Sequence, residues 1–123
     1  MSLANFATAR MAATWGTMAA NTGQACHDCH GNGESGMIIT PTEALYFKTI
    51  TEQKSYLLKY FSVDSVAGKV IINMTSFTHA NTVAGHPGFN PTTNAGMTAL
   101  KTFYDATIAR KLANTCDPSR LLP

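Results

Sequence analysis

Ala25-Cys26-His27-Asp28-Cys29-His30-Gly31 is the stretch that decides how this chain folds. Cys26, Cys29 and His30 form a C-x-x-C-H sequence, the pattern of covalent haem attachment. The spacing has a chemical reason. Two thiols three residues apart on one tight turn can add to the two vinyl groups on one edge of a porphyrin. The next residue then lies beneath the ring, where an imidazole nitrogen can bind iron, and His is a usual proximal ligand. Covalent bonds keep the cofactor attached even when the fold around it is small.

On the N-terminal side, apolar residues recur at Leu3, Phe6/Ala7, Met11, Thr14/Trp15 and Met18, which predicts one amphipathic helix. It stops at the turn-forming Asn21-Thr22-Gly23. Cys26 to Gly36 is short and glycine-rich and cannot be a long helix. Beyond it, Thr40-Pro41-Thr42-Glu43 predicts a helix start, with Thr40 as cap, Pro41 at the first position and Glu43 completing a capping box. That helix would carry Leu45, Phe47 and Ile50. A second box, Thr49-Ile50-Thr51-Glu52, predicts another helix with Tyr56, Leu57, Tyr60 and Phe61, unless the two are one kinked helix.

Val70-Ile71-Ile72 reads as a short strand. Met74 to Asn94 reads as a loop of about twenty residues, long enough for function to be its reason. It carries Phe77, His79, His86 and Phe89. Met97, Leu100, Tyr104, Thr107/Ile108 and Lys111/Leu112 then mark a C-terminal helix, with Pro118 after its end.

The 123 residues fit one domain, 1–123, with a core of its own or one built around a cofactor. Only 13% are charged and the net charge is +2, with no basic cluster, so nucleic acid and an anionic membrane are set aside as partners. No run approaches the ~20 apolar residues of a membrane span. The first twenty residues lack the basic and apolar regions of a signal peptide, and Met1-Ser2-Leu3 is expected to stand in place of a removed leader. The three cysteines are an odd number, which argues against a pure disulfide framework; Cys116 stands alone, a free thiol or a tie to another chain or to a missing region.

Two other readings of the motif stay open. Cys26 to Gly33 also matches one C-x-x-C-x-G-x-G unit of the DnaJ-type zinc domain, but that domain needs four thiolates per zinc and several such units. Cys26 and Cys29 with two histidines remain a possible zinc set. A redox dithiol would normally follow a strand at the start of a helix, whereas here a helix and a turn come first.

The order of an N-terminal helix, C-x-x-C-H, intermediate helices, ligand loop and C-terminal helix resembles the class I-type, mono-haem cytochrome c family. It spans nearly the whole chain, although only the haem motif is specific. The resemblance implies a mostly α fold wrapped around one covalently bound haem c. It also implies that the N- and C-terminal helices pack together, the Phe6/Met11 face against the Leu100/Tyr104 face. His27, between the two cysteines, would point away from the haem into solvent.

The family usually supplies a Met, often Met-Pro, as second iron ligand from the loop before the last helix. This chain has His86-Pro87 there. His86 therefore ranks first as distal ligand, Met74 and His79 follow, and Met97 or an open position comes after. Trp15, the only tryptophan, is expected in the core, with its indole N–H as a candidate partner for a haem propionate. Tyr46, Tyr56 and Tyr60 are expected in the core or lining the pocket.

The expected function is electron transfer to other redox proteins, not enzymatic catalysis, in a periplasmic or exported location because haem is attached outside the cytoplasm. The rivals are a haem sensor or peroxidase with an open distal side, a zinc-stabilised binding module, and a haem domain of a larger redox enzyme.

Overall fold

The apolar spacing near the N-terminus produces two short helices where the sequence predicts one. In the computed structural model, which describes residues 1–33, 38–52, 61–64, 66, 67, 69–75, 78, 82, 84–90 and 92–115, α1 spans Leu3–Thr8 and α2 spans Met11–Trp15. The break falls at Arg10, whose φ of 59° lies in the left-handed region. A residue with a Cβ pays roughly 1–2 kcal/mol for that conformation. The kink lets both helices turn apolar side chains to the same interior: Phe6, Met11, Ala12 and Trp15 are buried, while Leu3 is exposed.

The chain then reverses through Gly23, at φ +84°, and a bridge pairs Ala19 with Ala25. Helix α3 is the five residues Cys26–His30. Helix α4 runs Glu43–Glu52, so Pro41 lies before the helix and not at its first position. Thr40 instead accepts from the Thr42 N–H at 3.1 Å, closing the turn that leads in.

No helix begins at the second capping box, which lies within α4; whether one helix continues past Glu52, the alternative reading, falls on residues outside those described. Thr49 and Thr51 sit inside α4, where their hydroxyls donate to the carbonyls of Leu45 and Lys48 at 3.0 and 2.9 Å. This is the alternative open to a helical threonine, which can satisfy its hydroxyl on the preceding turn as well as at a cap. Phe61, expected on a helix, begins a strand. Tyr56, Leu57 and Tyr60 lie outside the described residues, as do Phe77, His79, Cys116 and Pro118.

Strand β1, Phe61–Asp64, pairs antiparallel with β2, Lys69–Ile72, in the register Phe61 to Ile72 and Asp64 to Lys69. The strand read from Val70-Ile71-Ile72 is therefore present. The Asp64 carboxylate shapes the connection by accepting from the N–H groups of Val66 and Ala67 at 3.0 and 2.9 Å. The long loop is not wholly irregular: Met74, Thr75 and Thr78 are helical, while residues 86–90 have no regular structure.

Helix α5, Ala95–Leu112, is capped by the Asn94 side chain, which accepts from the Gly96 N–H at 2.7 Å. Its buried face is Gly96, Met97, Ala99, Leu100, Phe103, Tyr104, Thr107 and Ile108. The molecule is mostly helical, and the β1–β2 hairpin lies beside α5. No described helix is long and apolar enough to cross a membrane.

The two ends of the chain meet in the core. Phe6 of α1 stands edge-on to Phe103 of α5 at 5.2 Å, to Tyr46 at 5.4 Å and to Phe47 at 5.5 Å. Such edge contacts add about 0.5–1.5 kcal/mol per pair beyond burial. Tyr46 is thus a core residue, and Phe103 is a central one that the sequence reading does not mark.

Candidate haem site

Helix α3 carries the motif. Ala25 precedes it in extended backbone, and Gly31 follows, its N–H bonding back to the His27 carbonyl at 2.7 Å. Positions 26, 29 and 30 are i, i+3 and i+4, so both thiols and the imidazole of His30 share one face of the turn. Backbone bonds fix this turn from both sides. The Cys26 N–H donates to the Met18 carbonyl at 2.9 Å, and the His30 carbonyl accepts from Ile39 and Gly33, both at 3.1 Å.

Cys26 is half-buried and packs against the core. That burial pushes its thiol pKa up; a backbone hydrogen bond opposes the shift and the Asp28 carboxylate adds to it. A redox dithiol needs the reverse, a thiol lowered toward neutral pH. Cys29 is also half-buried, with the Gln24 side-chain amide 3.7 Å from its sulfur.

Opposite α3 stands His86. Gly85, at φ +79°, turns the chain into it with nothing near the place a Cβ would take. Two residues later the Gly88 carbonyl accepts from the Asn21 N–H at 2.7 Å, joining this loop to the turn that leads into α3. The rings of His30 and His86 lie 6.2 Å apart, centre to centre, inclined at 58°. Two imidazoles on opposite sides of one metal ion, with bonds of about 2 Å and about 1.1 Å from nitrogen to ring centre, stand roughly 6 Å apart. The observed separation has that length, which is also the length of an ordinary contact between two rings. The His86 Nδ1 is buried with no hydrogen-bond partner among the described residues.

The other candidates fare differently. Met74 is exposed, and Met97 is buried in the core face of α5. His79 lies outside the described residues. Among those described, no group of three or more His, Cys, Asp or Glu is placed to hold a metal ion. A porphyrin brings four nitrogens of its own and asks the protein for only one or two, which the pair His30 and His86 can provide.

His27, expected to be exposed, has a side chain 41% exposed. It lies 3.5 Å from the Asp28 carboxylate, and its Nδ1 is buried without a hydrogen-bond partner among the described residues. The Trp15 indole N–H donates to the Gly96 carbonyl at 2.7 Å, a bond that takes the place of the propionate contact considered for it. The sequence reading missed Asn21 and Gln24. No local signal marks Asn21, because it acts through its backbone amide.

No protein-family model, curated protein or solved structure matches the chain.

Proposed function

We propose that this chain is an electron-transfer domain of the cytochrome c type, carrying one haem c bonded through Cys26 and Cys29, with His30 and His86 as the two iron ligands. One observation carries the reading: a C-x-x-C-H turn faces a second imidazole at 6.2 Å from the first. The packing of the N- and C-terminal helices through Phe6 and Phe103 supports it, since the family resemblance implies that contact.

When bound, the haem supplies a one-electron iron couple whose potential depends on its axial ligands and its burial. The chain supplies attachment, ligand geometry and shelter from water. Cys26 and Cys29 would hold the haem by thioether bonds. His30 is fixed by the hydrogen-bonded turn of α3, and His86 by the joint from Asn21 to Gly88. Met18 and Phe89 are partly buried against the core, as Cys26 is.

Were His30 and His86 both to bind the iron, it would be left to pass electrons and not to bind a gas or peroxide. Ligation by two histidines, without a thioether sulfur, favours a low potential. The partner is another redox protein, met with modest salt dependence because the net charge is only +2. The reading implies a periplasmic or exported location.

The test is the chain matured by a haem-attachment system and examined by intact mass and absorption. The expected result is the mass of one added haem and a six-coordinate, low-spin spectrum in both oxidation states. His86→Ala should turn the ferric form high-spin, and Met74→Ala should leave it unchanged. Colourless protein of unmodified mass would overturn the haem, and a low-spin His86→Ala spectrum would overturn the distal ligand.

A further inference from the structure

We propose that Trp15 is a positioning residue for the distal side: acting through Phe89, it fixes where His86 stands opposite His30. The inference rests on the haem reading above. His86 and Phe89 belong to one irregular segment, and its ties to the rest of the chain include two contacts. The first is the Asn21 N–H to the Gly88 carbonyl at 2.7 Å. The second is the Phe89 ring, edge-on to the Trp15 indole with ring centres 6.4 Å apart, inside the range of an attractive aromatic pair.

Trp15 is itself held firmly. Its Nε1 donates to the Gly96 carbonyl at 2.7 Å in a buried contact, which ties α2 to the first turn of α5. The ring lies so close that a Cβ on Gly96 would stand 2.7 Å from Cε2. The indole therefore has little room to shift, and the loop residue leaning on it inherits that position. Between Phe89 and His86 the chain has limited slack, because Pro87 locks its own φ and Gly88 is bonded. A site of this kind needs its ligand held to about 0.5 Å by neighbouring packing.

A role in packing alone predicts lost stability and nothing more. A positioning role predicts altered coordination in a protein that is still folded. The experiment uses the whole haem-loaded chain and the variants Phe89→Ala, Phe89→Leu, Trp15→Phe and His86→Ala. Carbon monoxide affinity of the ferrous form and the ferric high-spin band are read beside far-UV circular dichroism. Phe89→Ala and Trp15→Phe are expected to raise carbon monoxide affinity roughly tenfold or more, the scale on which outer partners of metal ligands act. Helicity should be unchanged. Phe89→Leu, which keeps apolar bulk, should move affinity in the same direction by less, and it carries the test where Phe89→Ala does not fold.

Wild-type affinity in the folded Phe89 and Trp15 variants, with His86→Ala opening the site, would overturn this inference and leave the ligand reading intact. If His86→Ala also binds carbon monoxide as wild type does, the ligand reading falls and this inference with it.

Discussion

Gly96 is bare because Trp15 fills the space where a side chain would go. A Cβ there would lie 2.7 and 3.0 Å from two atoms of the indole and 2.9 Å from the capping oxygen of Asn94. Gly96→Ala is therefore expected to cost about 1–3 kcal/mol, as overpacking does, even though alanine favours helices. Urea unfolding would measure it, and a stabilised variant would contradict the contact. This pairing was not legible in the sequence, since its partners are 81 residues apart and neither carries a local mark. His86 could be picked out because so few side chains in its loop can bind iron. Its tie through Gly88 could not, because a backbone amide of any residue would read the same.

At the scale of elements, α5 was the most readable, with a stripe recurring through 18 residues. Phe103, fully buried, falls on the same face as Leu100 and Tyr104 without being needed to mark the stripe. The break between α1 and α2 was hidden for a clear reason. Thr8-Ala9-Arg10 contains no glycine or proline, and the apolar period runs through it unbroken. The two arrangements differ in the sign of one substitution. Inside a continuous helix, Arg10→Gly would cost up to about 1 kcal/mol. At a left-handed Arg10 it relieves strain, and a gain of about 0.5–1 kcal/mol is expected, seen as a rise of a few degrees in Tm. Thr49 and Thr51 misled for the opposite reason: their spacing imitates a cap, while the structure uses them inside α4.

For the whole molecule, the mostly helical architecture was legible, and the hairpin only by half, since β1 lacks the β-branched run that marks β2. The core also sets a pH limit. Burial raises the Tyr104 phenol well above its ordinary value, and the neighbouring Tyr46 adds to the shift. Below the ordinary phenol value of about 10 both folded and unfolded chains keep that proton. As pH rises past it, the unfolded chain releases the proton first, so it binds fewer protons than the folded one and stability falls. Denaturant midpoints measured from pH 8 to 11.5 should show this alkaline decline, and Tyr104→Phe should flatten it. An equally steep decline in the variant would point to another group.

The contact of Phe6 with Phe103 has a consequence in time as well as space. Protein synthesis proceeds from the N-terminus, so α1 and α2 emerge long before the helix that completes their core. Until α5 leaves the ribosome, Phe6, Met11 and Trp15 have no lasting cover on that side, and the closing contacts span most of the chain. Folding of this core therefore waits for α5, and its rate carries the cost of bringing distant segments together.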